Sequence, residues 1–491
     1  MTAPNLSAEL SAVVERNGWA RRPAVHTETG SWTHGELHDL AARTATVLAR
    51  AGIGPGHRVL IALPDGIGWM AAFLACARIG GTAVPVNPDL PAADHRFMLD
   101  DCAARLVITT DALLDRFTGV RRIDQSAMLD DAGQAPPAEP VVTGEPLYVH
   151  YTSGTTGTPK GVVHRQGSPA VYHRVIGKGC LELSEVDVTL SVSKLYFTYG
   201  FCNAFVFPLY SGSAVVLSTE RLTPAQAAEL AARHRVTRLY AVPSWYARLL
   251  TDADPAAFAS VRAAVSGGER LTAELTDRVT EFLGAPLLNQ LGATEIGCAA
   301  TANRLGHNVA GSIGPAVPEF EVRAVDERGN VVDTGVEGDL LVRGPVLMAG
   351  YLNRPEDSAE ALRHGWLRTK DRVIANPDGS YTHVRRADDM EMVGGITVSP
   401  LEVEDLLGTH RDVREVAVAA VPNAAGATVL RAFVVPAGRI DSHAELADEL
   451  IALARSRLAA FKVPRSVRLV DALPRTPTGK LRRHRLRQPA T

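Results

Sequence analysis

The eleven residues Tyr151-Thr152-Ser153-Gly154-Thr155-Thr156-Gly157-Thr158-Pro159-Lys160-Gly161 include five Ser/Thr side chains, three glycines and one lysine. Such a stretch packs no core. It can offer backbone N–H groups and hydroxyls to a polyanion, because glycine admits close approach of the backbone to a ligand. Lys160 adds a positive charge that can follow a phosphate. The order is not that of a Walker-type loop, which needs Gly-Lys-Ser/Thr in succession; here Pro159 precedes Lys160 and Gly161 follows it. Further along, Leu287-Leu288-Asn289-Gln290-Leu291-Gly292-Ala293-Thr294-Glu295 reads as a strand running into a polar turn. Its terminal carboxylate suits either an oxygen-preferring cation such as Mg2+ or the positive end of a helix dipole. Asp371 closes Gly365-Trp366-Leu367-Arg368-Thr369-Lys370-Asp371, either as an acceptor of paired hydrogen bonds or as a plain turn aspartate. The tail Pro474-Arg475-Thr476-Pro477-Thr478-Gly479-Lys480 presents a lysine at the end of a Pro/Thr/Gly loop, beside the alternative of a solvated basic terminus.

Two other stretches carry shape rather than charge. Ser193-Lys194-Leu195-Tyr196-Phe197-Thr198-Tyr199-Gly200-Phe201 crowds aromatic rings together in a chain that is only 5% aromatic. It is either a helix packing its rings into a core or the wall of a slot for a flat ring. Ser266-Gly267-Gly268-Glu269 ends the apolar run Val261–Val265 in a glycine turn.

These residues need a frame. A chain of 491 residues exceeds one hydrophobic core and implies several structural units. Hydrophobic and charged fractions of 46% and 21% are those of a soluble globular protein. A net charge of −3 argues against nucleic acid as a partner. Cys76, Cys102, Cys180, Cys202 and Cys298 form no Cys-x-x-Cys pair, so neither a zinc site nor a disulfide framework is expected. Reduced thiols fit a cytoplasmic location. Met1–Glu9 has no signal-peptide pattern, and no apolar run of about 20 residues suggests a membrane span.

Thr33, with Glu36 three residues on, predicts a capping box and a helix through Leu37–Leu48 that stops near Gly52. A strand at Arg58–Leu63, a helix at about Gly66–Ile79, and strands at Gly80–Val86 and Arg105–Thr110 follow; the alternation implies a parallel sheet covered on both faces. Residues 130–146 read as a connector. A strand, Pro146–Tyr151, leads into the Ser/Thr/Gly loop, and Val162-Val163 leads out. Arg238–Ser244 reads as a strand entering a helix. From Gly311 to Asp371 the pattern turns β-rich and antiparallel. Val398–Leu407, Val413–Val421 and a helix at Ser442–Leu458, with Ser442 and Glu445 spaced as a capping box, suggest a small α+β domain.

Taken in order, these motifs resemble those of the adenylate-forming superfamily: acyl- and aryl-CoA synthetases, the adenylation domains of peptide synthetases, and luciferases. The resemblance covers about residues 30 to 485. Lys194-Leu195-Tyr196-Phe197-Thr198-Tyr199-Gly200, with Asn203 and Phe207-Pro208-Leu209, is most similar to benzoate-CoA ligases and related aryl ligases. The resemblance implies an α/β fold: residues 1–387 as a large adenylation region of mixed and parallel sheets with helices and a β-rich subdomain, and residues 388–491 as a small, mobile α+β lid. Thr152, Ser153, Gly154, Thr155, Thr156 and Lys160 would hold the β- and γ-phosphates of ATP. Gly267, Gly268, Glu269, Leu291 and Gly292 would line the adenine, Asp371 would bind the ribose hydroxyls, and Arg386 would contact ATP. Thr294 would meet the α-phosphate, and Glu295 would hold Mg2+. Phe197, Tyr199, Gly200 and Gly292 would line the acid pocket. Asp388 would be the hinge, and Lys480 the catalytic lysine.

The implied reaction is activation of an aromatic carboxylic acid to an aryl-adenylate, then transfer to coenzyme A, in a monomer or homodimer. A carrier-protein thiol or a nitrogen nucleophile stays open as the acceptor. The aspartate with which peptide-synthetase domains pair an α-amino group is absent from the aromatic segment, so an amino acid substrate is not expected. Three positions depart from the common pattern: Leu291 stands for Tyr, Lys370 for Gly and Met392 for Lys.

Overall fold

The computed structural model describes residues 2–3, 5–130, 135–142, 144–152, 159–386, 391–393, 396–422, 428–440, 442–458, 460–475 and 481–487. Ser153, Gly154, Thr155, Thr156, Asp388, Gly394, Gly395 and Lys480 lie outside the described residues. The chain forms two compact units. One comprises Met1–Thr369 and Ile374–Thr382; the other comprises Lys370–Val373 and His383–Thr491.

The larger unit is built on two mixed sheets. The seven-stranded sheet runs, in spatial order, Gly350–Tyr351, Lys160–Arg165, Pro146–Thr152, Thr82–Pro85, Arg58–Ala62, Leu106–Thr109 and Arg121–Asp124. Its four N-terminal strands are parallel, as the strand–helix alternation predicts, whereas the strands flanking the Ser/Thr/Gly loop pair antiparallel. The eight-stranded sheet has the parallel strands Leu287–Gly292, Ala263–Ser266, Arg238–Ala241, Val188–Ser191, Ala214–Val216 and Pro23–Thr27 side by side, with antiparallel edges. Strands Glu321–Val325 and Glu337–Arg343 form an antiparallel pair in the β-rich region.

Local signals hold where they are strongest. Thr33 Oγ1 accepts the Glu36 N–H at 3.2 Å, and Glu36 accepts the Thr33 N–H at 2.8 Å, closing the capping box of helix His34–Arg50. Helix Ile67–Arg78 is buried on all sides from Gly68 to Ala77, which places it inside the core rather than on a face. Its Trp69 and Phe73 meet Phe201 and Phe205 at centroid distances of 5.0–6.4 Å.

The smaller unit packs helices Pro400–Leu407 and His443–Arg457 on a three-stranded sheet of Val413–Pro422, Thr428–Pro436 and Ser466–Leu469. Ser442 caps the second helix, accepting the Glu445 N–H at 3.3 Å.

Candidate active site

The antiparallel hairpin of Pro146–Thr152 and Lys160–Arg165 brings the two ends of the Ser/Thr/Gly loop together, with Thr152 opposite Lys160. The outgoing strand also pairs with Gly350–Tyr351, placing Val162 opposite Tyr351. Register therefore carries Tyr351 to the lysine: the Lys160 ammonium lies 5.2 Å from the Tyr351 ring centroid. The same tyrosine donates its hydroxyl proton to Glu295 Oε1 at 2.9 Å. The Glu295 carbonyl accepts the Met348 N–H at 2.8 Å, tying the Thr294-Glu295 turn to the segment that precedes Tyr351. Tyr351 thus touches two groups, Lys160 and Glu295, that stand 135 positions apart in the chain.

Behind Thr294 lies a buried relay. His164 Nε2 is 2.7 Å from the Thr294 carbonyl, and its Nδ1 is 3.0 Å from the Tyr172 hydroxyl, itself 3.1 Å from the Tyr148 hydroxyl. Burial drives the His164 pKa down to about 4, so the ring is neutral at pH 7. A carbonyl only accepts, so Nε2 must carry the ring proton. Nδ1 then accepts from Tyr172, and Tyr172 accepts from Tyr148. Every donor in the relay has one direction, and its end fixes the peptide between Thr294 and Glu295. Gly297 is obligatory beside it: φ is +79°, and a Cβ there would sit 1.9 Å from the Tyr172 hydroxyl. None of His164, Tyr172, Tyr148 or Tyr351 stood out in the sequence. Alternation on Lys160–Arg165 was the available signal, since it puts the side chains of Val162 and His164 on one face.

The aromatic segment divides its rings. Phe201, Phe205 and Phe207 are fully buried core residues, whereas Phe197 and Tyr199 are half-buried. Core packing and partial exposure are both present, on different residues. The backbone begins as an α-turn at Thr198–Phe201, widens to π-turns over Cys202–Val206 and returns to α at Phe207–Ser211; π-turns inside a helix often accompany function. The Tyr199 hydroxyl donates to the Val265 carbonyl at 2.9 Å. Upstream, the buried Asp65 accepts the Leu195 N–H at 3.0 Å, and the Lys194 ammonium, 3.8 Å from Asp65, donates to the Ser218 carbonyl at 2.6 Å. Burial outweighs Lys194 and lifts the Asp65 pKa to about 6.

Gly200 is set by packing: a Cβ would lie 2.1 Å from the Lys194 carbonyl oxygen and 2.4 Å from that of Ser193. Gly200→Ala is expected to lower stability by about 1–3 kcal/mol through overpacking, read as a reduced urea midpoint with an unchanged slope.

The glycine turn after Ala263–Ser266 adjoins this segment. Gly268 has φ +87°, a left-handed position that favours glycine, and the Cβ site of Gly267 is 3.3 Å from Gln290 Cγ and 3.5 Å from the Tyr199 ring. Glu269 accepts the Ser244 N–H at 2.9 Å and the Ser244 hydroxyl at 3.1 Å, pinning the first turn of helix Pro243–Asp252 to the glycine turn. Leu291 is half-buried, and Gly292 lies at a register shift where a Cβ would meet the Cys298 carbonyl at 2.2 Å. Turn and strand thus place Gly267, Gln290 and Tyr199 in one neighbourhood.

In the smaller unit, buried Asp371 accepts from His383 Nε2 at 3.1 Å and approaches Arg386 Nη1 at 3.4 Å. Its neighbour Lys370 has φ +65°. That is a left-handed backbone of the kind glycine favours, and Lys370 adopts it at a cost of about 1–2 kcal/mol. The stem of the C-terminal loop is anchored: Arg475 and Leu481 form a bridge, and the Arg482 N–H donates to the Pro474 carbonyl at 2.7 Å. The Arg475 guanidinium pairs with Glu415 at 2.6 Å, and Arg483 pairs with Glu404.

The chain matches the AMP-binding enzyme family over residues 12–352 and the AMP-binding enzyme C-terminal domain over residues 402–480. It is 39% identical over 487 residues to a p-hydroxybenzoic acid–AMP ligase of Mycobacterium tuberculosis, covering 99% of this chain and 69% of that one. It is 33% identical to a benzoate–CoA ligase of Thauera aromatica, over 94% of this chain and 91% of the relative. A solved benzoate CoA ligase from Burkholderia xenovorans superposes with a TM-score of 0.91 at 34% identity, covering 99% of this chain and all of that one.

Proposed function

The chain belongs to the AMP-binding enzyme family, and from that premise we propose that it activates an aromatic carboxylic acid as the aryl-adenylate and transfers the aryl group to the thiol of coenzyme A. Membership makes it an ATP-dependent, AMP-forming ligase of mixed α/β fold. The observation that carries the finer reading is the division of the aromatic segment. Phe197 and Tyr199 stay half-buried, Tyr199 beside the glycine turn at Gly267, while Phe201, Phe205 and Phe207 fill the core. A flat ring suits such a wall by stacking and area burial. Relatives named for benzoate and p-hydroxybenzoic acid support the substrate class.

A carboxylate is a poor acyl donor. In the first step one carboxylate oxygen attacks the α-phosphorus of ATP, the bond to the bridging oxygen breaks, and pyrophosphate leaves. The protein's work is alignment of two anions and neutralisation of charge. Lys160, with Thr152 and the Ser153–Thr156 hydroxyls and N–H groups, would hold the β- and γ-phosphates. Thr294 would meet the α-phosphate, its peptide fixed by His164. Gly267, Gly268, Glu269, Leu291 and Gly292 would border the base, with Asp371 and Arg386 at the ribose and phosphates. Glu295 fits a hard divalent cation: Oε1 accepts the hydrogen bond of the Tyr351 hydroxyl, Oε2 would serve as a ligand atom, and Mg2+ there would offset triphosphate charge. Lys480 would bridge the carboxylate and the α-phosphate.

In the second step the lid, residues 388–491, would turn about Asp388, and a thiolate would attack the acyl carbon and expel AMP. Gly394 and Gly395, having no side chains, would let the thiol arm pass close to the backbone. The first relative's name, an acid–AMP ligase, favours a second reading of the acceptor, a carrier-protein thiol or a nitrogen nucleophile.

The test is a panel of benzoic, hydroxybenzoic, cinnamic and medium-chain acids with ATP, with and without CoA, and products identified by mass. An aryl-CoA product is expected. Aryl-adenylate that CoA leaves undischarged would move the acceptor to the second reading, and turnover confined to aliphatic acids would refute the aromatic pocket.

A further inference from the structure

The Lys160 ammonium is already engaged. Its Nζ lies 2.9 Å from Asp357 Oδ2, with about a quarter of the lysine side chain and a third of the aspartate exposed. The aspartate comes from a segment to which the sequence assigned no chemistry, the short helix Pro355–Ala361. Its placement is braced from several sides. The Tyr351 N–H donates to the Ser358 hydroxyl at 2.8 Å, and that hydroxyl donates to the Arg354 carbonyl at 2.7 Å. Gly350 leaves only 3.1 Å between its own Cβ position and the Ser358 oxygen. Gly350-Tyr351 in turn pairs with the strand that begins at Lys160, and the Leu352 N–H donates to the Gly161 carbonyl at 2.7 Å. Strand, tyrosine, helix and lysine close a ring, so the carboxylate is held at the lysine by the fold.

We infer that Asp357 is the resting counter-ion of Lys160, displaced by the triphosphate when ATP binds and restored when pyrophosphate leaves. This rests on the reading of Lys160 as a phosphate ligand. The physics is competition. A lysine ammonium has three donors on one charge. A triphosphate that takes that charge must break the ion pair and approach a fixed carboxylate of its own sign. Asp357 therefore weakens binding of the β- and γ-phosphates, and by the same amount it favours pyrophosphate release. It is a positioning residue: it acts through Lys160 and touches none of the reacting atoms.

The experiment measures ATP and pyrophosphate binding by calorimetry, with AMP as the probe lacking the outer phosphates. The proteins are the full-length chain and its Asp357→Asn, Lys160→Ala and doubly substituted forms. Partly exposed pairs of this kind shift equilibria about two- to fivefold. Asp357→Asn is expected to tighten ATP and pyrophosphate by that factor, lower KM for ATP correspondingly, and leave AMP affinity unchanged. In the Lys160→Ala background the same substitution should lose its lysine-dependent part, which a cycle of the four proteins isolates.

Weaker or unaltered pyrophosphate binding in Asp357→Asn would overturn the inference, as would an equal change for AMP. Failure of the underlying reading looks different: Lys160→Ala would then leave ATP and pyrophosphate affinity unaffected in the Asp357→Asn background as well as alone.

Discussion

Lys480→Ala is expected to reduce adenylate formation by about 10²–10³-fold while ATP affinity stays within a few-fold. The first figure is the range seen when one preorganised charge-stabilising group is removed from a transition state. The second follows from the division of labour. Binding of ATP is assigned to groups spread over the phosphate loop, the glycine turn, Asp371 and Arg386, so deletion of one lysine leaves most of it intact. A proportionate loss of kcat and kcat/KM would mark an interaction made only in the transition state. The second half-reaction provides an internal control. Pre-formed aryl-adenylate supplied to the variant should still pass its aryl group to the thiol, because the proposed lid rotation removes Lys480 from the site. Equal loss in both half-reactions would place the lysine in folding or lid motion rather than in activation.

Arg483→Met should have the largest effect on stability. Its guanidinium grips Glu404 through both terminal nitrogens, one contact at 3.2 Å, and also donates to the Val418 carbonyl at 2.6 Å. The Val418 N–H donates to Glu404 as well, so a helix, a strand and the C-terminal stem meet at one carboxylate whose side chain is only 11% exposed. Removing one partner of a buried pair typically costs about 3–5 kcal/mol, since it strands the other charge.

The pH dependence has a definite sign. Burial raises the Glu404 pKa above its ordinary 4.5 even with the opposing Arg483 beside it, and loss of the arginine must raise it further. A group with a raised folded-state pKa contributes stability that is fully present below the unfolded value and is lost as pH rises through the folded one. The deficit of Arg483→Met should accordingly be largest at neutral pH and narrow as pH falls toward 4. Chemical denaturation of the full chain, following the transition of the smaller unit at both pH values, checks this. Adding Glu404→Leu should recover much of the loss, because an apolar replacement of both partners strands no charge. A deficit independent of pH would contradict the stranded carboxylate. Arg483 lies two residues past the Arg475–Leu481 bridge, so adenylation should fall with the unit's stability.

Reading the site from sequence succeeds where the deciding interaction is local. Thr33 and Glu36 are three residues apart, and the capping box is a property of that spacing. Gly268 stands in a turn that needs positive φ, and the residue type states as much. The strands around the Ser/Thr/Gly loop are legible from apolar runs and end in a hairpin. Lys370 is an instructive departure: the residue differs from the common glycine, but the left-handed backbone that glycine would favour is still there.

Legibility fails where the partner is far along the chain or the phase changes. Tyr351 and Asp357 reach Lys160 through sheet register and a braced turn, and neither has a local signature. His164 becomes informative only when Tyr172 and the Thr294 carbonyl are seen on either side of it. In the aromatic segment the α-turn Thr198–Phe201 is a single turn that runs straight into π-turns, where residues advance by a different angle, so a 3.6-residue period is too short-lived to separate buried Phe201 from half-buried Tyr199. Glu269 carries a further lesson. Its glycine turn implies a place beside the nucleotide, yet both carboxylate oxygens accept from Ser244, which makes the residue a brace for the turn in this structure.

The most direct test of the account is aryl-acid-dependent exchange of labelled pyrophosphate into ATP, which runs the activation step in reverse and needs no acceptor. With benzoic or hydroxybenzoic acids the account predicts exchange that requires the acid and a divalent cation and is lost in Lys480→Ala. Exchange that ignores the acid, or ATP turnover that yields ADP and phosphate in place of AMP and pyrophosphate, would contradict it.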